Sequence, residues 1–229
     1  MTVSVIVPVY NEEKTIATTI RAINAVNISK QVIIVDDGST DATREAIGML
    51  CDQYQFILIR HEGNQGKGTA IQSALAHATG EISVIQDADL ETSPDNYPRL
   101  VEPIIRGETG VVFTYRIRAP ITKESLSHWV YRWGNAVQTC LANLLFGASI
   151  RDVNSGCKAF RTDILKAFEL RERGFAVEHE MTAKALKRSR CIYQLPIRYF
   201  PRTIRQGKKI NFFDGIKGIT ALIRYRFIP

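Results

Sequence analysis

Three observations predict an α/β fold for this sequence, with a doubly wound, mostly parallel sheet flanked by helices in a single domain. First, the runs from Val3, Gln31 and Ile82 are rich in β-branched residues with few polar interruptions, as expected of strands covered on both faces. Second, segments of helical character alternate with these runs through short polar links. Third, the runs end in polar or acidic clusters: Tyr10-Asn11, Asp36-Asp37 and Asp87-Asp89. The carboxyl ends of parallel strands share one edge, so clusters far apart in sequence can meet in one crevice.

The first strand is Val3 to Tyr10, and Asn11 is the N-cap candidate of a helix reaching about Val26, with Glu12 and Glu13 in its first turn. Gln31 to Val35 is a second buried strand, closed by the turn-forming residues Asp36-Asp37-Gly38-Ser39-Thr40-Asp41. A helix from Ala42 to about Tyr54 and a strand from Phe56 to Arg60 follow, and Asn64-Gln65-Gly66-Lys67-Gly68 opens a helix to Ala78. The central strand, Ile82 to Ile85, runs into carboxylates at alternate positions: Asp87, Asp89 and Glu91. If extended geometry continues, all three lie on one side of the backbone before Pro94 ends the element. Crowded anions repel unless a cation sits between them. Hard oxygen ligands suit Mg²⁺ or Mn²⁺, which also bind phosphate oxygens. A solvated acidic turn is the alternative for any isolated D-x-D.

Pro94 to about Ile105 suits a helix, and Gly110 to Ile117 a strand leading into Arg116 and Arg118. From Ser125 to Gly147, Leu126, Trp129, Val130, Trp133 and Val137 recur at helical spacing, either as one long core helix or as an amphipathic helix facing a membrane. Asp152 to Lys158 is a turn-rich polar interruption, and Phe175 to Arg188 reads as a turn into a helix with the acidic start Glu178-His179-Glu180. His179 lacks the H-E-x-x-H spacing of a zinc site and belongs to that helix start. Cys191 to Phe200 is the last strand. Asn211 to Phe227 combines apolar residues at helical spacing with Lys217, Arg224 and Arg226, so it is either an interfacial helix on anionic lipid or a terminal helix packed on the sheet.

Composition narrows the function classes. The 229 residues carry 30 basic and 23 acidic side chains, a net charge of +7, and 45% are hydrophobic, enough for a sizeable core. From Arg198 to Arg226 only Asp214 is acidic, an asymmetry that points to an anionic partner: phosphate, membrane surface or nucleic acid. Nucleic acid is disfavoured because aromatic residues are not interleaved with the basic ones to stack bases. The four cysteines form no C-x-x-C pair and read as reduced thiols of a cytoplasmic protein, not as a zinc site. Met1-Thr2-Val3 leads straight into a strand, so no signal peptide is expected. Gly134 to Ile150 is uncharged, but Asn135, Gln138 and Asn143 make it a poor membrane span.

The sequence resembles a family 2 glycosyltransferase of GT-A fold, and within it the polyprenyl-phosphate (dolichyl-phosphate) mannosyl- and glucosyltransferase branch. The residues that carry the resemblance are Pro8-Val9-Tyr10-Asn11-Glu12, Val35-Asp36-Asp37-Gly38-Ser39-Thr40-Asp41, Asn64-Gln65-Gly66-Lys67-Gly68-Thr69-Ala70 and Asp87-Ala88-Asp89-Leu90. Asp152 with Ser155-Gly156, then Pro201-Arg202 and Gly207-Lys208-Lys209-Ile210, complete a set that covers nearly the whole chain in order.

The resemblance implies an inverting, metal-dependent transfer of mannose or glucose from a GDP- or UDP-sugar, such as GDP-mannose or UDP-glucose, to a polyprenyl phosphate. It implies a nucleotide-sugar-binding part over about 1–118, an acceptor part over about 119–210 and an amphipathic basic helix over about 211–229. Pro8, Tyr10, Asn11, Glu12 and Asp37 would line the base and ribose. Asp36 is a further candidate there, or caps the loop. Lys67 lies in a tight loop bordering the donor, because the phosphate-loop spacing is absent. Asp87 and Asp89 would hold Mg²⁺ or Mn²⁺ on the diphosphate, and Glu91, where relatives often have glutamine, would complete the metal site. Arg116 would stand at the mouth of the site and Arg202 would meet phosphate. Lys208 and Lys209 fall where the family usually has a basic loop that closes over the donor. Cys157 departs from the family, which commonly places an aromatic residue after the Ser-Gly pair.

Asp152 is either a base for a hydroxyl acceptor or a carboxylate that orients a turn and ligand. A lipid phosphate needs no base, since its second pKa is about 6. The expected setting is the cytoplasmic face of a membrane, with the protein peripheral and room for a membrane-anchored partner protein. The competing readings are a same-fold enzyme with a glycan hydroxyl acceptor and a donor-binding protein without turnover.

Overall fold

A computed structural model of the chain describes residues 1–117, 126–189, 192–202 and 212–228, with the backbone alone at 126–131 and 212. The elements in order are β1 (Val3–Val9), α1 (Ile16–Ala25), β2 (Lys30–Asp36), α2 (Thr43–Gly48), β3 (Ile57–Arg60), α3 (Lys67–His77), β4 (Ile82–Ile85) and, after a short 3₁₀ turn, α4 (Tyr97–Ile105). β5 (Val111–Ile117), α5 (Leu126–Phe146), β6 (Lys158–Arg161), α6 (Thr162–Lys166), α7 (Val177–Arg188), β7 (Tyr193–Arg198) and α8 (Phe212–Phe227) follow. The sheet order is β3-β2-β1-β4-β6-β5-β7. β6 alone runs against its neighbours β4 and β5. The expected doubly wound, mostly parallel α/β sheet is present.

Alternation along β1 explains the two cores. Val5, Val7 and Val9 point to one face and meet Ile16, Ile20 and Ile23 of α1 with Leu100 and Ile104 of α4. Ile6, between them, points to the other face with Ala70 and Ala74 of α3, Phe146 of α5, Met181 of α7 and Leu222 of α8. Each such side chain, fully buried, contributes roughly 1.5–3 kcal/mol of hydrophobic stabilisation. The chain leaves β1 for β2 on one side and returns through β4 on the other, so the crevice beyond β1 and β4 is the switch point where ligands of such sheets bind.

Several local expectations are corrected. The first helix begins at Ile16, not after Asn11; Asn11 sits in the left-handed region at φ 49° and is not an N-cap. The segment expected to be helical to Tyr54 is helical only over Thr43–Gly48. The three acids do not continue a strand. β4 ends at Ile85, and Leu90 takes φ 60° in a turn where the Glu91 amide donates to Asp89 Oδ1 at 3.0 Å. β6 and α6 went unpredicted because Lys158–Arg161 is too short and mixed to show a period. No described helix is long and apolar enough to cross a membrane.

Candidate active site

The loops beyond β1, β2, β4 and β7 meet at the crevice. Asn11, in its left-handed turn, accepts the Thr40 amide at 2.8 Å through Oδ1 and so ties the loop after β1 to the loop after β2. Pro8 and Tyr10, both half-buried, flank this turn. Glu12 follows, with its amide on Thr43 Oγ1 at 2.7 Å and its carboxylate accepting Thr15 Oγ1 at 2.7 Å. The same carboxylate takes both terminal nitrogens of Arg202, at 2.8 and 3.1 Å, in a fork geometry that lysine could not reproduce. Arg202 Nη2 also reaches Asp89 Oδ2 at 3.3 Å. Its Nε is buried without a hydrogen-bond partner among the described residues.

Glu91 explains why Arg202 is there. Its carboxylate accepts the Tyr199 hydroxyl at 2.6 Å and the Arg202 amide at 2.9 Å, and its carbonyl accepts the Phe200 amide at 3.0 Å. The turn after β4 therefore anchors the chain leaving β7. Glu91, expected to complete a metal site, here gives one oxygen to the Tyr199 hydroxyl and the other to the Arg202 amide. Asp89 keeps one oxygen toward Arg202, and its carboxyl is pushed up to about 7 by burial and by the neighbouring charges of Asp87 and Glu91, which Arg202 only partly offsets.

Asp87 lies in a different set of contacts. Lys67, the first residue of α3, places Nζ 2.5 Å from Asp87 Oδ1 and 2.8 Å from Glu178 Oε1. Lys158 also bonds Glu178, and accepts no exposure at all: it is 0% exposed and gives further bonds to the carbonyls of Ser155 and Val153. Burial of Glu178 is outweighed by the two lysines, which hold its carboxyl down at about 2. Gly156 passes so close that a Cβ there would lie 1.9 Å from Asp87 Oδ2, so a larger residue would have to displace that carboxylate. Cys157, beside it, is buried, with its thiol pushed up to about 12 chiefly by that burial.

Asp152 and Arg116 form a forked pair at 2.6 and 2.8 Å. The guanidinium and its hydrogen bonds overcome burial and hold the Asp152 carboxyl below the usual range. Arg116 Cζ lies 4.9 Å from the centre of the Tyr199 ring, which links this pair to Glu91. A carboxylate clamped in this way orients its surroundings and is a poor proton acceptor. Of the two roles left open for Asp152, the geometry suits the orienting one.

Asp37 was expected to point to a ligand and does not. It is 2% exposed, and it accepts the amides of Gln65 and Gly66 at 3.0 and 2.7 Å and faces His61 Nδ1 at 2.6 Å. Asp36 is wholly buried and accepts the Ser39 amide at 3.0 Å, in keeping with loop capping. Both acids shape the crevice wall through the loops they hold. Lys208 and Lys209, and Arg118, lie outside the described residues.

Among the described residues, no three histidine, cysteine, aspartate or glutamate side chains converge as a ready metal cage. Asp87 and Asp89 remain the pair whose chemistry fits a hard divalent cation, which commonly takes one or two carboxylates and completes its shell with water and substrate phosphate. The high pKa of Asp89 fits as well, since a cation there would relieve the crowding of like charges.

Sequence reasoning overlooked His61, Lys158, Tyr199 and the pairing role of Glu178. A lysine set in the apolar run Cys157-Lys158-Ala159-Phe160 was the one available signal, because a charge in such a run needs a buried partner.

The family model for glycosyl transferase family 2 matches residues 4–168. The chain is 28% identical over 171 residues to the undecaprenyl-phosphate 4-deoxy-4-formamido-L-arabinose transferase of Edwardsiella ictaluri, covering 72% of this chain and 50% of that protein. It is 27% identical over 234 residues to the dolichol-phosphate mannosyltransferase of Pyrococcus furiosus, covering 98% of this chain and 64% of that one. The chain thus spans between half and two thirds of the length of these relatives. The fold is shared with the Mycobacterium tuberculosis glucosyl-3-phosphoglycerate synthase crystallised with Mn²⁺ and UDP-glucose, at a TM-score of 0.75 and 23% identity over 100% of this chain and 80% of that one. With the matched region covering most of the chain and the acidic turn after β4 inside it, the chain belongs to glycosyl transferase family 2.

Proposed function

We propose that this chain is an inverting, metal-dependent glycosyltransferase that moves a hexose, mannose or glucose, from a GDP- or UDP-sugar to a dolichyl or undecaprenyl phosphate at a membrane surface. The observation that carries the proposal is Arg202. It is held between Glu12 and Asp89 at the carboxyl ends of β1 and β4, with one buried N–H unpaired among the described residues. That is a seat for an anion beside two carboxylates suited to a cation, which together describe a metal–diphosphate site.

In this reading Pro8, Tyr10, Asn11 and Glu12 border the base and ribose, while Asp36 and Asp37 hold the loops around them. Asp87 and Asp89 would hold Mg²⁺ or Mn²⁺. A divalent cation there supplies positive charge to the leaving diphosphate as negative charge builds on it. Arg202 hydrogen-bonds a phosphate oxygen as the sugar departs. Lys67 fixes the rotamer of Asp87, and Lys208 and Lys209 belong to the proposed donor-closing segment. Arg116, clamped by Asp152, faces the acceptor side as a fixed cation for the incoming phosphate. The acceptor oxygen attacks the anomeric carbon opposite the diphosphate, which inverts its configuration. An acceptor that arrives ionised matches a site whose Asp152 is already spent on Arg116. The names of the two relatives, both transferases to polyprenyl phosphates, support the same acceptor class.

Radiolabelled GDP-mannose and UDP-glucose, each incubated with Mn²⁺ and dolichyl or undecaprenyl phosphate, test the proposal. Label should move to the organic phase with one donor. No organic-extractable product with any combination defeats it.

A further inference from the structure

Lys67 stands beside Asp87, and the fold holds it there. It opens α3 between two glycines. Gly66 takes φ 97° and its amide donates to Asp37 Oδ2 at 2.7 Å, while a Cβ on Gly68 would lie 1.9 Å from the carbonyl oxygen of Glu172. The start of α3 therefore lies directly against residues 172–173, with the Thr69 amide on the Arg173 carbonyl at 3.1 Å. From that fixed origin the side chain carries its ammonium to 2.5 Å from Asp87 and 2.8 Å from Glu178. The Lys67 side chain is 10% exposed and that of Asp87 is 29% exposed, so the cation is the sealed member of the pair and the carboxylate the open one.

Glu178 keeps the ammonium in place without cancelling it. The other oxygen of Glu178 bonds Lys158, which has no exposure. Lys158 and Glu178 balance one another, and the charge of Lys67 is left facing Asp87. The neighbouring carboxylates also have cations of their own: Arg202 lies 2.8 Å from Glu12 and 3.3 Å from Asp89. This pattern decides what the acids can take up. A bare divalent cation arriving at Asp87 meets an ammonium on the same carboxylate, where water screens the repulsion poorly. It must also give up part of its water shell, which Mg²⁺ in particular releases reluctantly. A diphosphate changes the balance, because its oxygens bring negative charge that the metal, Lys67 and Arg202 can share.

We propose that Lys67 is a built-in counter-cation of Asp87 that turns away the bare metal ion, so that the crevice takes up metal and nucleoside diphosphate together. This role rests on the proposed metal–diphosphate site, and it makes Lys67 a positioning residue that acts through Asp87. It also accounts for Gly66-Lys67-Gly68, which lacks the phosphate-loop spacing: the two glycines set an ammonium against a carboxylate.

The test is Mn²⁺ binding, read from the electron paramagnetic resonance signal of the free ion, with no turnover required. The proteins are the wild type, Lys67→Met, which nearly keeps the length of the side chain and drops its charge, and Lys67→Met/Asp87→Asn. Each is titrated with Mn²⁺ alone and with saturating UDP or GDP, corrected for Mn²⁺ held by the nucleotide in solution. The wild type should bind Mn²⁺ at least about ten-fold more tightly with one nucleotide than without. Lys67→Met should bind bare Mn²⁺ at least about ten-fold more tightly than the wild type, and the double variant should lose that gain, which assigns it to Asp87. A site merely damaged by the substitution would bind the ion more weakly, so the direction of the change separates the two. A wild type that holds Mn²⁺ as tightly alone as with nucleotide overturns the proposal, whether or not the variants fold. So does a folded Lys67→Met whose affinity for bare Mn²⁺ is unchanged or weaker, or whose gain survives in the double variant. The proposed metal–diphosphate site itself fails by a different result: no Mn²⁺ held by the wild type with either nucleotide or without.

Discussion

Lys158→Met is the substitution through which the buried charge network is best measured. The lysine has no exposure, and its ammonium is held by Glu178 and two carbonyls. Methionine nearly matches its volume, so the change removes charge and leaves the packing almost intact. Glu178 then keeps Lys67 as its cation, at 2.8 Å, but loses the other. The hold on the Glu178 carboxyl, from 4.5 down to about 2, corresponds to roughly 3 kcal/mol shared between the two lysines. Breaking a buried pair by removing one partner costs about 3–5 kcal/mol in general. The second figure is the larger because it includes the buried carboxylate left short of a partner, and about 3 kcal/mol in a chain of this size lowers Tm by roughly 6–12 °C. Thermal unfolding followed by circular dichroism gives the number. The double variant Lys158→Met/Glu178→Leu should be no less stable than Lys158→Met, because it leaves no orphaned carboxylate. A Tm lowered by less than about 2 °C in the single variant, or additive losses in the double, would refute the reading of this cluster as mutually dependent charges.

Three further outcomes follow from the same contacts. Gly156→Ala should push the Asp87 carboxylate from its place, since the new Cβ would lie 1.9 Å from Oδ2; turnover at saturating donor should fall by about 10²-fold, and a normal rate would remove Asp87 from the site. Tyr199→Phe should free one oxygen of Glu91 and loosen Arg202, costing about 1–2 kcal/mol of stability and raising KM for the donor; an unchanged KM would separate Glu91 from Arg202. His179 is buried against Gly218, and burial, with Lys158 nearby, lowers its pKa from 6.5 to about 4. The unfolded chain therefore binds this proton first, and the contribution is intact above about 6.5 and is lost as pH falls toward 4, up to about 3 kcal/mol. Asp89 works in the opposite sense, because its raised pKa lets the folded state take up a proton below about 7. The difference between wild type and His179→Leu, followed by urea unfolding from pH 7 to pH 4, isolates the histidine. A difference that does not change with pH would contradict its buried, neutral state.

Much of this was legible in the sequence, for identifiable reasons. Long β-branched runs such as Val3–Val9 admit few alternatives to a buried strand, and the order of polar clusters at their ends marked one crevice. What escaped was local backbone geometry. Nothing in Asp87-Ala88-Asp89-Leu90-Glu91 announces that Leu90 adopts a left-handed turn, and that single turn sends Glu91 toward Tyr199 and away from Asp87. The position of Asn11 failed in the same way, since its left-handed conformation replaced the cap expected from its residue type. Asp37 and Asp152 were recognised as important, but their partners, His61 and Arg116, lie 24 and 36 residues away, and no local pattern reveals such pairing.

The most direct measurement is titration calorimetry of GDP and of UDP into the wild type and Asp89→Asn, each with and without Mn²⁺. If Asp87 and Asp89 hold a cation on the donor diphosphate, Mn²⁺ should tighten one nucleotide at least about ten-fold for the wild type, about 1.4 kcal/mol of coupling, and leave the variant's affinity unchanged. Equal affinities with and without the metal in the wild type would contradict the account at its centre.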